Sequence, residues 1–323
     1  MGRLLKQILQ MDNLAAAWEE VAGNRGGPGI DQVTIEEFAR HWEGNLVELR
    51  QAVRSGYYRP DPLQRFAIPK RDGSLRWLGN PTVRDKVLQR AVLRVLADRY
   101  EQQFLECSFG YRPRRSVRQA VERVVEARDF GRTWVLDADI DDFFHSLDHA
   151  LLLRFLGESI TDEPLLHLIR IWLDSGRPQP DQAVGTPLGA IISPLLSNIY
   201  LHYLDLMMSN GLPESGWGEG QPLSYPRHDW VYLRYADDFV VLCRSKAQAL
   251  LALEWVEAAV TALRLKLEAS KTAITTFADG FEYLGCSFKD DHFYFHYQDK
   301  AIRVREDEDW ALFYRYGPEG YQE

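Results

Sequence analysis

The strongest constraint on folding is the segment Val231-Tyr-Leu-Arg-Tyr-Ala-Asp-Asp-Phe-Val-Val-Leu242, two apolar, β-branched and aromatic runs joined by Asp237 and Asp238. Runs of this composition around a short polar break predict a β-hairpin. Tight hairpin turns favour Asn-Gly or Asp-Gly, because their central residues need positive φ. Two aspartates serve that turn poorly and repel each other, so the pair is costly unless positive charge stands beside it. A solvated Asp-Asp turn is the plain alternative. A magnesium-bound phosphate would supply the charge, since Mg2+ takes one or two carboxylates and completes its shell with water and substrate oxygens.

A second acidic strand offers a partner. Trp134-Val-Leu-Asp-Ala-Asp-Ile140 alternates with period two and delivers Asp139 to a strand end, followed by Asp141, Asp142, Phe143 and Phe144. Asp141, Asp142 and Asp148 read as charges complementing the N-terminal ends of helices. Asp139 differs, because an aromatic pair follows on a stretch that must turn back over it. Two strands bringing carboxylates to one point would hold two metals about 3.5–4 Å apart, the arrangement of nucleotidyl transfer.

The bulk properties leave that reading open. The length of 323 residues suits two or three subdomains. With 46% apolar and 26% charged residues, the composition is that of a soluble globular protein. No apolar run is long enough to span a membrane, and the first ten residues are too polar for a secretory signal. Cys107, Cys243 and Cys286 lack metal-ligand spacing and fit buried thiols in a reducing cytosol, so a cytoplasmic protein is expected. The net charge of -9 weighs against nucleic acid as a partner. Basic residues are nonetheless bunched, at Lys70, Arg71, Arg76, Arg84, Lys86 and Arg90 and again at Arg112, Arg114, Arg115 and Arg118. Distribution therefore matters more than the total.

Along the chain, residues 4–21 carry a helical apolar pattern that ends in the Gly/Pro-rich stretch 23–29. Thr34-Ile-Glu-Glu37 has the form of a capping box, opening a helix toward Val53. Phe66 to Trp77 predicts a hairpin turning at Asp72-Gly73. Helices are expected at 83–104, 116–127, 148–157, 163–174 and 246–264, with a further helical run inside 186–201. Short strands are expected at 265–267, 282–284 and 293–295, and residues 211–227 read as a loop.

The motifs also occur in a familiar order. Ile68-Pro-Lys-x-x-Gly73-x-x-Arg76, Ser108-Phe-Gly-Tyr-Arg-Pro113, Asp139-Ile-x-x-Phe-Phe144, Gly185-Thr-Pro-x-Gly189 through Ser193-Pro194 and Asn198, Tyr235-Ala-Asp-Asp238, Leu265-x-Leu267-x-x-x-Lys271 and Phe281-x-Tyr-Leu-Gly285 follow one another. Together they resemble bacterial reverse transcriptases of the group II intron lineage, over about Gly23 to Phe288. The resemblance implies an α+β, right-hand polymerase fold with fingers and palm. Residues 1–133 would form the N-terminal helix and fingers, 134–289 the palm with the catalytic carboxylates (150–190 partly fingers/palm helices), and 290–323 a short C-terminal extension, the thumb being absent or minimal.

By the same resemblance, Asp139, Asp237 and Asp238 form the metal site with the Ile140 carbonyl. The metal would be two Mg2+ ions, with Mn2+ able to substitute. Lys70 and Arg76 would contact the incoming deoxynucleoside triphosphate, as a point charge and a bidentate fork respectively. Phe144 would be the steric gate against a ribose 2′-hydroxyl, while Phe143 fills the core. Ile140, Leu188 and Gly189 would line the nucleotide site, and Leu188 stands where the family usually has Gln, losing a hydrogen-bonding group. Lys271 would serve as proton donor near the triphosphate, and Tyr283, Leu284 and Gly285 would grip the primer end. The implied partners are an RNA template, a DNA or RNA primer, dNTPs and, by likeness to stand-alone CRISPR-associated reverse transcriptases, an adaptation integrase complex. Diversity-generating retroelements, phage defence and a catalytically silent RNA-binding scaffold are the alternatives. The residues after Phe288 read as strands plus an acidic, aromatic tail.

Overall fold

The computed structural model describes residues 2–69, 73, 75–176, 183–186, 189–210, 228–298, 300–305 and 307–319. The elements are α1 (Arg3–Ile8), α2 (Met11–Gly23), α3 (Ile35–Ala39), α4 (Trp42–Arg54), β1 (Gln64–Pro69), β2 (Leu75–Asn80), α5 (Val83–Glu101), α6 (Val117–Asp129) and β3 (Trp134–Asp139). They continue with α7 (Phe143–Ser146), α8 (His149–Ser159), α9 (Glu163–Ser175), α10 (Ser193–Asn210), β4 (Val231–Tyr235), β5 (Asp238–Cys243) and α11 (Lys246–Ala262). The last are β6 (Ala273–Thr276), β7 (Phe281–Tyr283), β8 (Cys286–Lys289), β9 (His292–Tyr297), β10 (Lys300–Val304) and α12 (Asp307–Tyr316). The chain divides into two compact units, residues 1–103 with 144–200, and residues 104–143 with 201–323.

In the first unit, α5 is the axis. Val83, Val87, Leu88, Ala91, Val92 and Leu96 are buried along it, and α2 packs against it with Leu14, Ala17, Trp18 and Val21. The Thr82 hydroxyl caps α5 by accepting the Asp85 amide at 3.3 Å. The Asp85 carboxylate, itself buried, accepts from the Tyr58 hydroxyl at 2.8 Å and the Asp61 amide at 2.9 Å. β1 and β2 form an antiparallel hairpin in which Ile68 pairs with Arg76 and Arg65 with Gly79.

The pattern over 4–21 forms two helices, α1 and α2, because the Asn13 side-chain amide donates to the Ile8 carbonyl at 2.9 Å and ends α1. The predicted helix after Thr34 also breaks in two. Its capping box forms as expected, but the Asn45 amide takes the Phe38 carbonyl at 3.1 Å, closing α3 before α4 begins. Both breaks use the same device, an asparagine satisfying a carbonyl that the helix end would orphan.

The second unit holds two four-stranded antiparallel sheets, ordered β4-β5-β3-β6 and β10-β9-β8-β7. α6 and α11 pack on the first, with Ser116 and Ser245 capping their N-termini. Both edges of the idea behind the Asp-Asp hairpin hold: β4 and β5 pair antiparallel, and β3 pairs with β5. One apolar core joins the sheets, including Phe281, Tyr283, Phe288, Phe293, Phe295 and Phe313.

Two sequence expectations are corrected in this unit. Residues 265–267 contribute an isolated bridge, Ile140 with Leu267, in place of a strand, because turns at 263–264 and 269–270 leave too little extended chain between them. The acidic, aromatic tail is not irregular: after β10 it forms α12, whose Phe313 is fully buried in the aromatic core. Burial of one apolar stripe outweighs the acidic run that begins the helix, whose charges also suit its N-terminal end. The loop expected at 211–227 lies outside the described residues.

Candidate active site

The carboxylates meet through strand register. β3 and β5 are aligned so that Asp139 pairs directly with Asp238, the last pair of that ladder. On the other side of β5, Asp238 pairs with Tyr235 of β4, leaving Ala236 and Asp237 as the two turn residues. Ala236 adopts φ +56°, the left-handed conformation such a turn demands. The turn is thus a two-residue hairpin built on Ala-Asp where Asn-Gly would be easier.

Asp137 joins the group, two residues before Asp139 on the same face of β3. The sequence assigns Asp137 no role of its own beyond its place in the strand. Period-two alternation was the available signal, since it puts a second carboxylate on the face that carries Asp139. Burial, then Asp139, pushes the Asp137 carboxyl up to about 6. Asp238 is pushed up to about 7, first by burial and then by Asp237, Asp139 and Asp137, with Lys271 opposing. Asp238 as a residue is exposed at the sheet's end, so its carboxylate is hemmed in by protein atoms without being in the interior.

Lys271 answers part of that charge. Its ammonium is ion-paired to Asp139 Oδ2, and this hydrogen bond leads the causes that hold its pKa above the usual lysine range. Its side chain remains 66% exposed. Ile140 follows Asp139 and is buried. Its bridge to Leu267 uses the Asp139 carbonyl, bonded by the Glu268 amide at 2.9 Å, and the Asp141 amide, bonded to the Lys266 carbonyl at 2.9 Å. The Ile140 carbonyl itself takes no part in those bridge bonds.

Among the described residues, no three His, Cys, Asp or Glu side chains form a group that could hold a metal by themselves. The carboxylates instead fit an ion that shares its shell between one or two protein oxygens and substrate oxygens. The raised carboxyls of Asp137 and Asp238, with a lysine drawn to Asp139, are what such a cation would relieve.

At the second hairpin, β7 and β8 turn through Leu284 at φ +51° and Gly285 at φ +76°. Gly285 is exposed and Leu284 half-buried, while the Tyr283 ring is buried, its hydroxyl 3.5 Å from the Leu233 carbonyl. Of the three residues assigned to the primer, only the turn pair presents itself to solvent.

Three of the candidates for the nucleotide site, Arg76, Phe144 and Gly189, belong to the first unit, and Ile140 belongs to the second. Arg76 lies in β2 opposite Ile68. The Phe144 carbonyl accepts the Thr186 amide at 2.7 Å, tying that residue to the segment leading to Gly189. A Cβ on Gly189, at φ +95°, would stand 2.9 Å from the Gly79 carbonyl of β2. Gly189 therefore lies against the strand that carries Arg76. Phe143 is buried and Phe144 half-buried, the division expected of a core ring and an available one. Lys70 and Leu188 lie outside the described residues.

Sequence reading missed Arg234 and Asp205, which form a fully buried ion pair behind the Asp237 turn. The signal available was a single charge inside the apolar run Val231–Tyr235; its partner, 29 residues earlier, carries no local mark.

Residues 68–288 match the family model described as reverse transcriptase (RNA-dependent DNA polymerase). The chain is 33% identical over 311 residues to protein YkfC of Escherichia coli K12, covering 88% of this chain and 82% of that one. It is 35% identical over 211 residues to the group II intron-encoded protein LtrA of Lactococcus lactis subsp. cremoris, covering 63% of this chain but 34% of LtrA. Among solved structures, telomerase from Candida albicans aligns over 85% of this chain and 50% of its own at 11% identity, with a TM-score of 0.53, a likeness of fold. A chain of a partial Cas6-RT-Cas1–Cas2 complex aligns over 80% of this chain and 42% of its own, at 24% identity and a TM-score of 0.45.

Proposed function

The chain belongs to the reverse transcriptase family, and we propose that it is an RNA-directed DNA polymerase whose chemistry runs at Asp139, Asp237 and Asp238. The observation that carries this is the register of β3 on β5, which sets Asp139 opposite Asp238 with Asp237 in the adjoining turn.

Family members work with divalent metal ions. The proposal for this chain is two Mg2+ ions held by Asp139, Asp237 and Asp238 with the Ile140 carbonyl. When bound, such ions make the primer 3′-hydroxyl a better nucleophile and neutralise the departing pyrophosphate. The protein's own contributions are positional and protic. Arg76 would engage triphosphate oxygens from β2, and Phe144 would exclude a 2′-hydroxyl. Lys271 holds its proton firmly beside Asp139 and would deliver it from Nζ to the pyrophosphate. Leu284 and Gly285 would support the primer from their turn.

The finer proposal is that the product is cDNA for spacer acquisition, made with an adaptation integrase as partner. Its support is the likeness of the motif order to stand-alone group II-like enzymes of that setting. Co-purification with the neighbouring gene products checks it, and recovery of the chain alone counts against it.

The polymerase proposal is tested by extending a DNA primer on an RNA template with dNTPs and Mg2+. Extension should be lost in Asp139→Ala and in Asp237→Ala. Extension that persists in both would remove the metal-site assignment.

A further inference from the structure

We infer that Arg234, anchored by Asp205, is the positioning residue that sets the Ala236-Asp237 turn and so aims the metal-binding carboxylates. The inference rests on the proposed role of Asp237 and Asp238, and it concerns groups that touch neither metal nor substrate.

The Arg234 guanidinium spends every face on a fixed partner. Nε and Nη2 donate to the two oxygens of Asp205, each at 2.7 Å, a bidentate fork from β4 to α10. Nη2 also donates to the Ser108 hydroxyl at 2.8 Å. The remaining nitrogen, Nη1, donates to the carbonyl of Ala236 at 2.9 Å. A side chain thus reaches two residues along its own strand and pins the peptide that enters Asp237.

The backbone repeats the clamp. The Arg234 amide donates to the Cys107 carbonyl at 2.8 Å, and the Phe109 amide to the Arg234 carbonyl at 2.9 Å. Gly110 then packs so closely that a Cβ there would collide with the Ala236 amide. Ala236 is held between these contacts in a left-handed conformation that a residue with a Cβ does not choose unaided. Without the grip on its carbonyl, the Ala236 peptide can rotate, and Asp237 would swing away from Asp238.

Stability is a poor explanation for the pair. Arg234 and Asp205 are both 0% exposed, and replacing a buried ion pair by apolar residues of similar volume is often neutral or stabilising. What an apolar pair cannot do is hold the Ala236 carbonyl. Lysine cannot reproduce the planar fork either, since its ammonium is a single point charge.

The decisive variant is the volume-matched double substitution Asp205→Leu with Arg234→Met, studied by thermal melting and steady-state primer extension. It should stay folded, melting below the parent because the Ser108 hydroxyl and the Ala236 carbonyl lose their donor, and keep KM for dNTP, while kcat falls about 10²-fold, the effect of a small misplacement of reacting groups. The Mg2+ concentration for half-maximal rate should rise, because the carboxylates no longer converge. A folded double variant with parental kcat and Mg2+ requirement overturns the inference. Should the double variant fail to fold, Arg234→Lys and Gly110→Ala decide instead. Loss of kcat at constant KM in both supports the clamp, and parental kcat in both overturns it. Asp237→Ala separates this from the underlying reading. If Asp237→Ala still extends primers, the metal site itself is wrong. If it is dead while the double variant is parental, the clamp alone is wrong.

Discussion

Asp238 and Lys271 pull on each other's protons in opposite directions, and the balance gives the site a pH signature. Asp238 is raised to about 7 and Asp137 to about 6, both above their ordinary carboxyl range. Between about pH 4 and 7, the folded chain therefore binds protons that the unfolded chain has released. Stability contributed by these groups is present at the acid end and declines as pH rises through 7. A divalent cation needs the ionised carboxylates, so its stabilising effect should grow over the same window. The rise in melting temperature on adding Mg2+ should be larger at pH 8 than at pH 6, and an equal rise would refute the assignment of Asp238. Lys271 belongs to the same account. Lys271→Gln should lower kcat about 10²-fold, as loss of a proton donor does, and should flatten the alkaline side of the rate profile, measured under saturating dNTP. The three carboxylates were legible because each stands at the end of an apolar strand or in the turn between two, where a charge has no packing reason to be. Asp205 was not legible: its meaning depends on Arg234, and that contact exists only after α10 and β4 are folded together.

At the level of elements, hairpins were the most legible features and helix ends the least. Alternation marks a strand from its own residues, whereas α1 and α3 stop because an asparagine in the next helix captures their carbonyls. The β7–β8 turn is the informative exception. Leu284 occupies a left-handed position where asparagine is the easier residue, and it packs partly against the core. Strain kept at a turn points to use of the turn. Leu284→Asn should therefore fold with stability within about 1 kcal/mol of the parent, its improved turn preference offsetting its lost apolar contact. The same variant should raise KM for primer–template and leave KM for dNTP unchanged. Filter binding together with steady-state extension measures both, and an unchanged primer KM would take this turn out of the primer site.

On the scale of the whole molecule, the second unit's core does not stop where the family match does. The match ends at residue 288, yet Phe293, Phe295, Val304 and Phe313 are each 1% exposed or less, in the same cluster as Tyr235 and Tyr283. Phe313 packs edge-on against Phe293 and Phe295, with ring centroids 4.9 and 5.4 Å apart. Strands β9 and β10 also complete the sheet that begins with β7. The segment is thus structural support for the β7–β8 hairpin, and it shares a core with the strand that leads into Asp237. Its character was hidden in the sequence because an acidic start and scattered rings look like a tail until a sheet presents them with an apolar face. Phe313→Ala should cost about 3–5 kcal/mol, the usual penalty for emptying a buried aromatic site, seen as a lower denaturation midpoint. Ending the chain after Lys289 should be more severe, since it removes two strands and α12 while keeping every proposed catalytic residue. Such a chain should lose cooperative melting of the second unit and with it primer extension. A truncated protein that melts cooperatively and extends primers at the parental kcat would show that the active-site sheet stands without this support.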